Sequence, residues 1–244
     1  MAITFTCSTD DGHPSDLKMA ELLQRHNLNG TFYIPIRNRE GPDVMSKSQI
    51  REIGRLFEIG SHTLDHCFLN SVDADEARFQ IVEGKKRLED MLGKEVPGFC
   101  YPGGKYSREH IALVRSAGFQ YARTTMNLCF DAGDNPFEIP TTCQFYPHRR
   151  SVYLRNFAKA RRWSKRQAGL NLALKQANWV DRLYDLFDYA CGRGGVFHLW
   201  GHSIDIDRLE AWGELDLFLA YVALQVAKQD RLSNGEVAAR FFRV

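Results

Sequence analysis

Two adjacent carboxylates, Asp10 and Asp11, follow the first strand-like run of the chain and precede Gly12, a residue able to turn sharply. Like charges this close raise one of the two pKa values unless a cation offsets them. The pair therefore suits a metal site with one acid left over as a base. A surface turn tolerates the same Asp-Asp-Gly run, and these residues alone do not decide between the two. Further on, Gly60-Ser61-His62-Thr63-Leu64-Asp65-His66 carries two histidines four residues apart. On one helical turn that spacing puts both imidazoles on one face, with Cβ atoms about 5–6 Å apart, so that they can share an ion. Two histidines and one carboxylate with an open position form a recurrent catalytic metal arrangement. Either motif alone is common, but the conjunction, after the first and third strands, is much less so.

Such groups need elements that bring strand ends together. Short β-branched or aromatic runs at 3–8, 30–34, 58–61, 98–101, 120–124, 138–139 and 195–199 alternate with helical patterns at 16–26, 48–57, 74–92, 109–117, 178–189 and 208–228. This is the βαβ rhythm of a mainly parallel sheet, either a barrel or an open doubly wound sheet. In both, functional groups collect at the C-terminal edge of the sheet, where the two motifs fall. The 244 residues suit one domain over 1–244, of (β/α)-barrel size, although two small domains would also fit. Hydrophobic residues at 44% and charged residues at 25% argue against disorder, a coiled coil or a fibrous chain.

At these residues the chain resembles the polysaccharide deacetylase family, also called the NodB-homology or carbohydrate esterase family 4 enzymes. The resemblance implies a distorted (β/α)7 barrel. It makes Asp10 the catalytic base and Asp11, His62 and His66 the ligands of one divalent metal ion; zinc is expected, and cobalt, nickel or iron would suit the same donors. A third family motif, usually Arg-x-Pro-Tyr, matches Cys100-Tyr101-Pro102-Gly103-Gly104. That match implies a backbone N–H of Gly103 for the oxyanion and places Tyr101, Pro102 and Gly104 along the substrate groove. The family's Arg, which orients the catalytic Asp, is replaced by Cys100; Arg123 at the end of the next strand is the candidate substitute and is counted with Tyr101, Pro102, Gly104 and Trp200 among the substrate-binding residues. The family's late histidine corresponds to His202, just beyond an apolar strand. His198, inside that strand, reads better as a hydrogen-bonded core histidine. Trp200 either walls the sugar pocket or packs in the core. The family's Asp-x-x-Asp-Trp segment is not found, and Asp205 or Asp207 is offered as the acid that tunes His202.

The implied activity is metal-dependent removal of an acetyl or formyl group from an N-acylated amino sugar. Asp10 would take a proton from water, Gly103 would share the oxyanion with the metal, and His202 would protonate the departing amine. The first strand begins at once, with no leader-like run before it, and the six cysteines form no CxxC pair. We therefore expect reduced thiols and a cytoplasmic chain. Residues 148–180 hold nine Lys or Arg and no acid, leaving 23 basic against 30 acidic residues elsewhere. That potential suits a nucleotide- or lipid-linked sugar, a precursor in surface polysaccharide assembly, with peripheral membrane contact through 148–180 and no nucleic-acid partner. A solvated basic helix face is the plainer reading. Two alternatives stand: hydrolysis of a cyclic imide or ureide, which the Arg-to-Cys departure keeps alive, and a non-catalytic anion-binding module.

Overall fold

The computed structural model describes residues 2–41 and 43–242. Its strands are β1 (Ile3–Asp10), β2 (Thr31–Ile34), β3 (Glu58–Ser61), β4 (Gly98–Cys100), β5 (Tyr121–Arg123), β6 (Cys143–Gln144), β7 (Gly195–Gly201) and β8 (Arg231–Leu232). All pair in parallel, along the path β5-β4-β3-β2-β1-β7-β6. The sheet curls into a half-barrel whose two ends are β5 and β6, the open form of the distorted barrel expected above. β7 covers one edge of β1 from Ile3 to Thr9. On the other edge β2 takes Ser8 to Asp10, and β8 takes Phe5 and Thr6.

β1 is buried along its whole length, and its pleat separates two environments. Ile3, Phe5 and Cys7 join the main apolar core beneath the helices. The alternate residues make polar contacts inside the curl: Thr6 with Asn234 at 2.8 Å, Ser8 with His198 at 2.9 Å, and Asp10 with Arg123. Asp10 closes β1, Cys100 closes β4, Ser61 of β3 precedes His62, and Gly201 of β7 precedes His202. Parallel pairing places these four strand ends on one edge, which is how residues far apart in sequence meet.

The helices are α1 (Asp16–Arg25), α2 (Lys47–Leu56), α3 (Ala74–Leu92), α4 (Arg108–Ser116), α5 (Arg150–Lys159), α6 (Trp163–Lys175), α7 (Trp179–Arg193), α8 (Ser203–Arg208), α9 (Trp212–Gln225) and α10 (Asn234–Phe242). Local chemistry sets several boundaries. α3 starts where Asp73 accepts the Glu76 N–H at 2.9 Å and stops at Gly93, whose φ of 68° is left-handed. The pattern at 208–228 is not one helix: Glu210 takes a φ of 53° and separates α8 from α9. Residues 138–139 form no strand. Pro136, which has no N–H to donate, opens a single 3₁₀ turn, and only Ile139 bridges to Arg123. β6 and β8, each two residues long, and helices α5, α6 and α10 had no separate sequence signal.

Candidate functional site

His62 and His66 do not lie on a helical turn. Thr63 and His66 adopt left-handed φ angles of 65° and 57°, closing a tight loop off β3. The loop still brings the two rings to 5.0 Å between centroids. Its shape is held from α3 and the loop after β2. Gln80 accepts the Leu64 N–H at 2.9 Å on its backbone carbonyl and the Asp65 N–H at 3.0 Å on its side chain. The buried Asp65 carboxylate accepts from Gln80 at 3.1 Å and from Arg37 and Arg39. Burial opposes the charge on Asp65, but the Arg37, Gln80 and Arg39 donors bring its pKa down to about 2.

His62 Nδ1 lies 2.8 Å from the Cys100 carbonyl, so a proton on Nδ1 leaves the Nε2 lone pair free. The Nε2 atoms of His62 and His66 stand 3.5 and 3.2 Å from Asp11 Oδ1, and the three ligand atoms all lie within 4.8 Å of one another. Asp11 Oδ1 is buried and has no hydrogen bond of good geometry. An orphaned carboxylate oxygen facing two imidazole nitrogens fits a divalent cation shared among them. Burial alone would raise the Asp11 pKa, yet His62 and His66, with His202 nearby, hold it well below the usual carboxylate range. Glu40 stands behind His66, 3.6 Å from its Nδ1.

Asp10 meets two unlike neighbours. Its Oδ1 accepts from Nη2 of Arg123, and the Cys100 thiol packs 3.7 Å from its Oδ2. Cys100 and Arg123 are register partners on β4 and β5, so a guanidinium one strand over reaches the carboxylate past a small thiol. Arg123 is fully buried, with its guanidinium 4.9 Å from the Trp200 ring centroid and 5.1 Å from that of Tyr33. The expectation that Arg123 touches substrate is therefore corrected: it sits behind Asp10, outside the cavity wall, and acts on the carboxylate.

His202 faces Asp11 across the cavity, with Nε2 3.9 Å from Oδ2, and its Nδ1 is 3.1 Å from Asp205. Of the two acids offered for that place, Asp205 fills it, whereas Asp207 accepts from Trp212 at 2.5 Å. Burial disfavours charge on His202, but Asp205, Asp11 and Asp10 push its pKa up to about 9; a bound cation would offset part of that rise. His198 is a core residue, bonded to Ser8 and to the Pro140 carbonyl at 3.1 Å, and burial with Arg123 nearby lowers its pKa to about 3.

Asp10, Asp11, His62, His66, Trp200 and His202 border one cavity of about 940 Å³. Gly103 and Gly104 border it too, with φ of 60° and 64°, and a Cβ on Gly104 would stand 1.9 Å from the Thr125 hydroxyl. Among the described residues, the Gly103 N–H has no backbone acceptor. Tyr101 and Pro102, expected along the groove, are buried and do not border the cavity. Tyr101 stacks on Tyr106 at 4.4 Å and donates to the Phe137 carbonyl at 3.2 Å, so Tyr106 is the ring that reaches the cavity.

Gln80, Glu40 and the Arg37–Asp65–Arg39 group had no motif to announce them, because they support the histidine loop through tertiary contacts. Gln80→Leu keeps the bulk of the side chain and strands the Asp65 N–H. We expect about 10–100-fold weaker metal binding, read by competition with a chelator, and about 1–3 kcal/mol lower stability. Unchanged metal affinity would mean that the loop holds its shape without Gln80.

The fold and this arrangement define an α/β half-barrel with an Asp–His–His cluster and a second carboxylate beside it. The family profile described as polysaccharide deacetylase matches residues 1–122, half of the chain, and the chain belongs to that family. A chitooligosaccharide deacetylase from Azorhizobium caulinodans is 31% identical over 115 residues, covering 46% of this chain and 53% of its own. A peptidoglycan-N-acetylglucosamine deacetylase from Bacillus cereus is 28% identical over 121 residues, covering 49% and 54%. The chain thus spans about half the length of these curated relatives. Among solved structures, a Mycobacterium smegmatis protein assigned to the polysaccharide deacetylases aligns over 97% of this chain and 90% of its own, with TM-score 0.63 and 18% identity. The chitin deacetylase of Colletotrichum lindemuthianum aligns over 97% and 86%, with TM-score 0.60 and 12% identity. These two likenesses concern the fold.

Proposed function

We propose that the protein, as a single catalytic domain over 1–244, hydrolyses the N-acyl amide of an amino sugar, releasing acetate or formate. The carrying observation is the convergence on one cavity of Asp11, His62 and His66, an Asp10 paired to a buried cation, and a His202–Asp205 pair on the opposite side. Two relatives named for deacetylating chitooligosaccharides and peptidoglycan N-acetylglucosamine support the same chemistry. Asp11, His62 and His66 would hold a divalent metal, which when bound polarises an amide carbonyl and acidifies water. Asp10, kept in place by Arg123, accepts the proton of the attacking water. The Gly103 N–H donates to the oxygen that gains charge, and His202, oriented by Asp205, delivers a proton to the leaving nitrogen. Trp200 and Tyr106 offer aromatic faces to the sugar.

The substrate proposed is a carrier-linked precursor in surface polysaccharide assembly, met in a cytoplasmic, membrane-peripheral setting. No helix among the described residues is long and apolar enough to cross a membrane. The imide or ureide alternative drew on the loss of the family's Arg, and with Arg123 against Asp10 that departure no longer argues for ring opening. Assaying acetate release beside ring opening on a cyclic ureide tests the choice: acetate release alone is expected, and ring opening alone would overturn the proposal.

The metal carries its own prediction. The purified protein is expected to hold close to one divalent ion per chain, because the ligand atoms of Asp11, His62 and His66 lie within 4.8 Å of one another. Elemental analysis of the His62→Ala/His66→Ala double variant should find that ion gone. Full occupancy in the double variant would remove both histidines from the ligand set.

A further inference from the structure

Seven of the nine cations at 148–180 sort into two sets. Arg150 donates to the Lys175 and Gln176 carbonyls at 3.2 Å, and Arg166 to the Asn127 carbonyl at 2.7 Å and its side chain at 2.9 Å. Arg162 pairs with Asp131 at 2.8 Å, and Lys165 with Asp134 at 3.0 Å. Arg150 ties α5 to the end of α6, and the other three hold α6 to the loop at 127–134. Arg155, Lys159 and Arg161 are different. Among the described residues no carboxylate lies within 4.0 Å of them, and all three line the cavity that holds Asp10 and Asp11. Arg108, the first residue of α4, lines the same cavity.

The cavity is therefore bipolar, with carboxylates and imidazoles at the strand ends and exposed cations on α5, just beyond it at Arg161, and at the start of α4. Arg149 and Lys175, the other two cations of the stretch, also meet no side-chain partner among the described residues and lie away from the cavity, so three of the five cations left without a partner stand on its wall. A neutral hexosamine at the Asp10 end would leave the rim unused, since a cavity of about 940 Å³ exceeds one sugar ring. Glu138, held by the Tyr106 hydroxyl at 2.9 Å, also lines the cavity, but four Arg and Lys side chains with no carboxylate within 4.0 Å among the described residues still favour an anion through charge-assisted hydrogen bonds.

We propose that Arg155, Lys159 and Arg161, with Arg108, form an anion subsite that holds a phosphate or diphosphate ester on the substrate, remote from the amide. The proposal rests on the N-deacylation reading for the identity of the sugar end. Its ligand chemistry is common to a nucleotide-linked and a prenyl-linked sugar.

The test compares wild type with Arg155→Ala/Lys159→Ala/Arg161→Ala, all exposed positions, in two arms. In the first, kcat/KM is measured for UDP-N-acetylglucosamine and for a neutral methyl glycoside of N-acetylglucosamine. The ratio of the two should fall by about 10–100-fold in the triple variant, a screened value for three exposed contacts. Lys175→Ala, which removes a cation from the same stretch but away from the cavity, should leave the ratio alone. In the second arm, inorganic pyrophosphate binding is measured by calorimetry, which needs no turnover. Pyrophosphate binding lost in the triple variant, with no sugar deacetylated by wild type, would support the subsite and overturn the deacylase reading. An unchanged ratio together with unchanged pyrophosphate binding would overturn the subsite and leave the deacylase reading intact. UDP and a short-chain prenyl diphosphate as competitors then distinguish the carriers, and displacement of pyrophosphate by neither would also overturn the subsite.

Discussion

Asp10→Asn should retain its metal and lose about 10²–10⁴ in kcat, the usual cost of removing a general base. The amide keeps the shape of the side chain and can still accept from Arg123 through its oxygen, but it cannot take a proton from water. Asp11, His62 and His66, and not Asp10, would hold the metal, so metal content should not follow activity down. That separation distinguishes a base from a ligand, since an alternative grouping of Asp10, His62 and Cys100 also brings donor atoms within 4.8 Å. Loss of metal in Asp10→Asn would favour the alternative grouping. Activity close to wild type with metal present would reassign the base.

Arg123→Met should produce the second large effect, on stability and on the pH profile together. Deleting one partner of a buried ion pair leaves the other charge uncompensated, at a cost of about 3–5 kcal/mol. The Asp10→Asn/Arg123→Met double variant should recover much of that loss, because neither charge remains, and a double-mutant cycle isolates the coupling. Methionine keeps part of the stem between Tyr33 and Trp200, so lost packing contributes less than it would in an alanine variant. For activity the sign is fixed by electrostatics. Removing a positive charge beside a carboxylate disfavours its ionised form, so the acidic limb of kcat/KM against pH moves upward. A limb that stays in place, in a folded variant with normal metal content, would show that Arg123 does not govern Asp10. Failure of the double variant to regain stability would assign Arg123 to packing alone.

The site was legible where chemistry and strand rhythm coincided. Asp10 ends a strand, Asp11, His62, His66 and His202 come after one, and parallel pairing then places those ends on one edge. The conformation of the histidine loop was not legible, because a spacing of four serves a helical turn and a loop closed by two left-handed residues equally well. Register was hidden too. Nothing along the chain says that Cys100 and Arg123 are partners, yet that pairing explains how one strand supplies the cation that its neighbour lacks. Tyr101 and Pro102 were misplaced because a motif match carries the order of residues without the turn. Gly103 and Gly104, both with positive φ, redirect the chain so that Tyr106 takes the cavity wall. Composition marked residues 148–180 as basic but could not sort them, since whether an arginine meets a carbonyl, a carboxylate or open cavity is a tertiary fact.

Under the proposed chemistry, acyl release from an amino sugar requires a divalent ion on Asp11, His62 and His66. Its most direct measurement is acetate released from an N-acetylated amino sugar by chelator-treated protein as a divalent metal is titrated back. No release is expected from the metal-free chain, followed by a rise that saturates near one ion per chain. Acetate release by metal-free protein, or a filled site with no release from N-acetylated sugars, neutral or phosphate-linked, would contradict that chemistry.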